Sequence, residues 1–391
     1  MDRPLLSRQT AAFQSPALRQ ISQRVQKVGG INLGQGVCNL PAPPEVLEAA
    51  QREIARGNNQ YTHSRGYAKL RHALSDKLRS WNRMETNPDE NVLVTAGATG
   101  AFEAVCGVFL SPGDEAVIFE PSYPYHLQAL RRYEATIRYA RLQRPDWSID
   151  WEELRSLINP RTKLVVVNTP GNPHGRVWTP DEYRQLAELL AGTSAWLVTD
   201  EIYEYMTFDG RAHVSPGSLP ELADRTLTMG GYSKTFSVTG WRIGYMVVPD
   251  GLGEPVSQFL DAVYACSPTP LQAAVAEGVL SLSPEFYSQM QAKYQAKRDL
   301  FVAGLRELGL QPWVPQGSYY LLCDMAPLFP GKTSQEISLE MIDRTGVGAV
   351  PSSDFLRSAE GQTWVRFCLA QEDAVLVDAL GRLRRLLDSS S

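Results

Sequence analysis

Apolar and polar residues alternate along this chain with two different periods. Short runs rich in β-branched and apolar residues recur at 91–97 ("NVLVTAG"), 115–121 ("EAVIFEP"), 163–170 ("KLVVVNTP"), 195–201 ("AWLVTDE"), 225–231 ("RTLTMGG") and 242–248 ("RIGYMVV"). Runs of this length and composition, closed by turn formers, predict strands. Between most of them the spacing becomes helical. "TGAFEAVCGVFL" (99–110) places apolar residues on one helical face and stops at Ser-Pro-Gly. "TPDEYRQLAELLAG" (179–192) opens with a threonine cap, a proline and acids in the first turn, and closes on Gly192. Strands alternating with helices predict an α/β domain built on a mostly parallel sheet.

The last third follows another pattern. "SPEFYSQMQAKYQAKRDLFVAGLRELG" (283–309) predicts one long amphipathic helix. After it come a strand-like "SYYLLCDM" (318–325), a helical "SQEISLEMIDRTG" (334–346), a strand-like "WVRFCLA" (364–370) and a helical tail. This is the order of a smaller α+β domain. The proline-rich "LPAPPEV" (40–46) links an N-terminal arm to the large domain. The expected division is therefore 1–45 for the arm with part of the small domain, 46–285 for the large domain and 286–391 for the small domain.

Composition narrows the function. A chain of 391 residues, 43% hydrophobic and 21% charged, matches a globular protein of two domains. The formal net charge is −5 with no basic block, so nucleic acid is not an expected partner. The five cysteines are odd in number, scattered and without a CxxC pair, which points to a reducing compartment and a cytoplasmic location. The start has no apolar core of signal-peptide length, and runs such as "LVVV" are far too short to span a bilayer, so no membrane partner is expected.

The chemistry gathers after the strands. "AGATG" (96–100) follows the first, "PSYPY" (121–125) the second and "NTPGNPHG" (168–175) the third. The fourth ends in Asp200 and Glu201 with Tyr203 close behind, and the fifth leads to Lys234. Open α/β sheets bind ligands outside the carboxyl ends of their strands, so these groups are expected to converge. "AGATG" opens a helix, where free N–H groups favour an anion. Arg366 sits inside the apolar "WVRFC" and needs an anionic partner or a solvated edge. "PGKTS" (330–334) resembles the end of a phosphate-binding loop, but Ala326 stands where the first glycine is required. The five histidines have no metal-ligand spacing, and no metal is expected.

The stretch "GGYSKTFSVTGWRIGY" (230–245), with Lys234, Gly240, Arg242 and Gly244 at these offsets, resembles the lysine signature of the class I/II aminotransferases. "NTPGNPHG", "VTDEIY" and "VRF" reinforce it in order, with "INLGQG" and "NQYTHSRGYAKLR" upstream, from about Ile31 to Leu369. "NLGQG" and "NQYT" look most like the kynurenine/glutamine transaminase and broad-specificity aspartate transaminase branches. The resemblance implies a fold-type I enzyme dependent on pyridoxal 5′-phosphate. Its large domain would hold a mostly parallel seven-stranded sheet between helices, beside a smaller α+β domain. It implies that Lys234 forms the Schiff base and then shuttles the proton. Asp200 would pair with the pyridine nitrogen, Tyr203 and Asn172 would hold the phenolic oxygen, and Tyr123 would stack on the ring. Arg242, Ser233, Ala98 and Thr99 would bind the phosphate. Tyr61 would reach the phosphate of a neighbouring subunit, which implies a homodimer with shared active sites. Arg366 would grip the substrate α-carboxylate, helped by the backbone at Gly36.

Three positions depart from the pattern. Gly231 stands where many relatives have a serine, so either Ser233 substitutes or the phosphate has one fewer hydroxyl partner. "NPHG" replaces the common "NPTG", and Gly97-Ala98 replaces a glycine pair. The expected reaction is transfer of an amino group between an L-amino acid and a 2-oxo acid. A carbon–sulfur β-lyase or related lyase on the same scaffold is the alternative. No arginine is placed for a second carboxylate, and Phe13, Tyr125 and Tyr264 are candidates for an apolar pocket, so aromatic or other neutral donors are favoured.

Overall fold

All six strands expected from the apolar runs form, and all six lie in one sheet. The structure is a computed structural model, and it describes residues 17–357 and 361–388. Across the sheet the strands run Val92–Ala96, Ile243–Val247, Thr226–Gly231, Trp196–Asp200, Thr162–Asn168, Glu115–Glu120 and Thr136–Gln143, with the two-residue Ser148–Ile149 added at the edge. The five strands from Thr226–Gly231 to Thr136–Gln143 pair in parallel. Ile243–Val247 is antiparallel to both its neighbours. Seven strands have five or more residues, and the short eighth pairs antiparallel with Thr136–Gln143.

Thr136–Gln143 is the strand that the apolar pattern missed. Arg138, Arg141 and Gln143 interrupt it, and several of its residues are partly or fully exposed. A strand near an edge needs only one apolar face, so it shows no continuous run. The central strands are buried on both faces. Leu164 and Val166 pack with Phe102, Val105 and Leu130 on one side. Val165 and Val167 pack with Tyr183, Leu186 and Leu190 on the other. The helix Pro180–Leu190 starts where its sequence signal lies. The Thr179 hydroxyl accepts from the Glu182 N–H, and the Glu182 carboxylate accepts from the Thr179 N–H.

The long helix forms over Pro284–Glu307. Beyond it, Trp364–Cys368 lies between Tyr320–Asp324 and Val350–Pro351 in a small antiparallel sheet. Phe301, Leu321, Ile337, Met341, Phe367 and Leu376 form a separate core there. Ile31–Asn32 pairs with Val347–Gly348 and so ties the start of the described chain to this sheet's surroundings. The "PGKTS" stretch is a helix start, with Thr333 and Glu336 forming a capping box on Ser334–Thr345. No described helix is long and apolar enough to cross a membrane.

Candidate active site

The parallel strands end on one edge of the large sheet, and a cavity opens there. Ala98, Thr99, Tyr123, Asn172, Asp200, Tyr203, Ser233, Lys234 and Arg242 all line it. Asp200 is the last residue of Trp196–Asp200 and is buried. Its Oδ1 accepts from the Ile202 N–H at 3.2 Å, and its Oδ2 lies 3.1 Å from His126 Nε2. Lys234 sits in the turn after Thr226–Gly231, and its Nζ donates to the Gly36 carbonyl at 2.7 Å.

At another part of the cavity the helix Gly97–Phe109 begins with no side-chain cap. Its first N–H groups are therefore open to an anion. Arg242 stands beside this end in a left-handed conformation (φ 60°), donating to the Thr239 and Ala96 carbonyls at 3.0 and 3.3 Å. Gly97 (φ 71°) lies in the left-handed region that favours glycine, and a Cβ there would also push on the Arg242 guanidinium, whose Nη2 would be 2.5 Å away. Gly244 serves the same approach from the facing strand: its Cβ would lie 2.5 Å from the Gly97 carbonyl carbon.

Arg366 lies in the middle strand of the small sheet and is buried. It donates to Asn172 Oδ1 at 2.9 Å and to the Gly34 carbonyl at 2.7 Å, while its Nε has no partner. The rings of Tyr320 and Phe355 lie 4.1 and 4.7 Å from the guanidinium carbon. Among the described residues its hydrogen bonds go only to neutral acceptors, and a buried cation so held favours an anion. Tyr203 and Tyr123 are buried phenols, and burial, reinforced by neighbouring phenols, raises both above the ordinary tyrosine range. They remain protonated donors.

The family model for aminotransferases of class I and II matches residues 28–383. The chain belongs to this family. It is an aminotransferase of fold type I, and members of the family use pyridoxal phosphate. It is 31% identical to the methionine aminotransferase of Escherichia coli K12, over 94% of this chain and 95% of that one. It is 32% identical to human kynurenine–oxoglutarate transaminase 1, over 91% and 92%. The solved N-succinyldiaminopimelate aminotransferase of Mycobacterium tuberculosis superposes with a TM-score of 0.94 at 30% identity, covering 98% of this chain and all of that one.

Three of the aminotransferase's expected site residues are placed outside the cavity lining. Gly36 and Arg366 adjoin it through Lys234 and Asn172. Tyr61 does not reach it: its side chain is 85% exposed, on the loop whose Gln60 carbonyl accepts from the Thr269 hydroxyl. Ser233 lines the cavity, whereas a Cβ at Gly231 would come within 3.0 Å of Gly244 Cα. Of the apolar-pocket candidates, Tyr125 lines the cavity and Tyr264 instead receives the Ala96 N–H at 3.1 Å. Phe13 lies outside the described residues.

Sequence reasoning missed His126, because histidine spacing bears only on a metal site. It stands three residues after Tyr123 on the helix Pro124–Arg132, a spacing that brings both to one side of the first turn. Phe102 packs tilted against its ring at 4.3 Å, and Tyr123 meets it edge-on at 5.2 Å. Behind Asp200 a buried polar network holds the next turn. Lys77 bridges to both Glu204 oxygens at 2.5 and 2.6 Å, and Glu201 receives the Thr199 and Ser215 hydroxyls and lies 2.7 Å from His213.

Proposed function

We propose that the chain binds pyridoxal 5′-phosphate at Lys234 and moves amino groups from L-amino acids with aromatic or other neutral side chains to a 2-oxo acid, as a homodimer with shared sites. The observation that carries this reading is one cavity holding the Lys234 amine, the Asp200 carboxylate and an uncapped helix N-terminus beside Arg242. An amine, a carboxylate and an anion cradle are the three features that the cofactor's aldehyde, pyridine nitrogen and phosphate require. The residues present fit the group.

When bound, pyridoxal phosphate supplies an aldehyde that bonds amines and a pyridine ring that draws electrons from the carbon so attached. The chain's own residues supply the rest. Arg242, the Ala98 and Thr99 N–H groups, the Thr99 hydroxyl and Ser233 are assigned to the phosphate. Asp200 keeps a proton on the pyridine nitrogen, with His126 holding its second oxygen. Tyr203 and the Asn172 amide donate to the phenolic oxygen, since Asn172 Oδ1 is already engaged by Arg366. Tyr123 covers the ring. Lys234 would hold the aldehyde carbon and, as a free amine, would move the proton at the donor's Cα. Arg366 binds the α-carboxylate as a fork, with the backbone at Gly36 beside it.

The neutral-donor preference rests on the lining. Its only cations among the described residues are Lys234 and Arg242, both already assigned, while Phe102, Tyr123, Tyr125 and Ile202 add apolar surface. The exposed Tyr61 supports the shared site, because its side chain stands away from the described residues of its own chain, where a partner can meet it. In this reading the chain divides into an arm (1–45), a large domain (46–285) and a small domain (286–391).

Borohydride reduction followed by peptide mapping tests the assignment. The cofactor should be fixed to Lys234, and Lys234→Ala should lose covalent attachment and about 10²- to 10⁴-fold in rate. Attachment to another lysine overturns the reading. A panel of donor half-reactions followed by absorbance should rank phenylalanine and methionine above aspartate, and the reverse order defeats the donor preference.

A further inference from the structure

We propose that Tyr320 is a positioning residue of this active site, acting on the carboxylate-binding arginine through its ring and on Tyr203 through its hydroxyl. The inference rests on the roles given above to Arg366 and Tyr203, and it adds a residue outside the family signature and outside the cavity lining.

The small sheet sets the geometry. Leu322 pairs directly with Arg366, so Tyr320, two residues along the same face, is its diagonal neighbour. That relation places the ring 4.1 Å from the guanidinium carbon, with Phe355 as a further aromatic neighbour at 4.7 Å. Both rings are buried, so the cation rests on π faces with little competing water. The Tyr320 hydroxyl lies 3.4 Å from the Tyr203 hydroxyl, which donates to it here. Hydroxyl protons rotate. When Tyr203 turns its proton to a phenolic oxygen, Tyr320 becomes the donor to Tyr203. A hydroxyl that accepts a hydrogen bond is a stronger donor through its own proton.

Gly36 is shaped to this hydroxyl. A Cβ at Gly36 would lie 2.0 Å from Tyr320 Oη, so the backbone that holds Lys234 can approach only because position 36 lacks a side chain. Tyr320 thus touches the supports of three groups at once: Arg366, Tyr203 and the Gly36 segment.

Two substitutions separate the ring from the hydroxyl, and both are measured on the holoenzyme. Tyr320→Leu removes the ring. It should weaken binding of 3-phenylpropanoate, a carboxylate without an amino group, by about 10-fold, and raise KM for all donors more than it lowers kcat. Tyr320→Phe keeps the ring and should hold that binding within about 2-fold of wild type. Its signature is spectroscopic: the pH midpoint of the bound cofactor's absorbance should rise, in the direction of Tyr203→Phe and by less, because a weakened hydrogen bond leaves more charge on the phenolic oxygen. A purely structural role would lower Tm without moving this midpoint.

Arg366→Lys and Tyr203→Phe are the reference variants. If they shift binding and midpoint while Tyr320→Leu and Tyr320→Phe do not, the inference is overturned and the functional assignments stand. If the reference variants leave both readouts unmoved, the assignments themselves fail and Tyr320 falls with them. Tyr320→Phe is nearly isosteric, so its midpoint decides the hydroxyl's role even where the leucine variant folds poorly.

Discussion

His174 shows how a single residue departs from its family's pattern without disturbing the chemistry. It occupies the third position of "NPHG", is buried, and packs its ring against Trp147 at 5.8 Å. Its Nδ1 accepts the Arg176 N–H at 3.0 Å. Burial, reinforced by the Arg176 charge, depresses its pKa from 6.5 to about 3, so it is a neutral acceptor in the folded chain. The unfolded chain takes up a proton near pH 6.5 that the folded chain refuses until about pH 3. Its contribution is therefore intact above pH 6.5 and is lost as pH falls, by up to about 1.4 kcal/mol per unit. His174→Asn keeps an acceptor for Arg176 without a titrating group. Between pH 7 and 5 this variant should lose about 2 kcal/mol less stability than wild type in denaturant titrations. Equal losses would show that His174 is not the group held neutral.

At the scale of elements, the site depends on how closely a helix start can approach a strand. The N-terminus of Gly97–Phe109 is useful to an anion because Gly244, on Ile243–Val247, has no side chain between them. A methyl group at 244 would lie 2.5 Å from the Gly97 carbonyl carbon and 2.7 Å from the Ala98 nitrogen. Backbone atoms cannot swing aside as a flexible side chain can, so helix and strand must part. Overpacking of this kind costs about 1–3 kcal/mol. Gly244→Ala should therefore raise the cofactor's dissociation constant about 5- to 150-fold, read by absorbance or fluorescence titration of apoenzyme. Unchanged affinity would mean that the N–H groups of this helix do not hold the phosphate.

For the whole molecule, the proposed function predicts that a second copy completes the site. Leu47 and Ile54 on Pro44–Ala55, Tyr61 on the following loop and Leu280 on Thr269–Ser281 are all exposed, on elements that pack against one another. In the proposed homodimer these side chains are the candidates for the subunit contact. The shared-site reading makes a complementation test possible. Lys234→Ala and Tyr61→Ala subunits each damage both sites of their own homodimers. In an equal mixture half the dimers are hybrids, and each hybrid has one intact site, so activity should reach up to about one quarter of wild type. Activity no greater than the mean of the two parents would place Tyr61 outside its partner's site.

Local chemistry determined more of this protein than local contacts do. The six apolar runs became the central strands because a parallel sheet buried on both faces needs unbroken apolar sequence. The caps at Thr179 and Thr333 are local hydrogen bonds, and the first was legible before any fold was known. The gathering of Asp200, Asn172, Tyr203 and Lys234 followed from strand order alone, since parallel strands deliver their ends to one edge. Tertiary structure decided the rest. The polar-studded Thr136–Gln143 became a strand because the sheet offered it a partner. His126 found Asp200 across the sheet edge, and Tyr320 found Arg366 by a diagonal in a second sheet and Tyr203 across the gap between the two. Each of these depends on the distance between residues far apart in the chain, which no pattern of neighbours encodes.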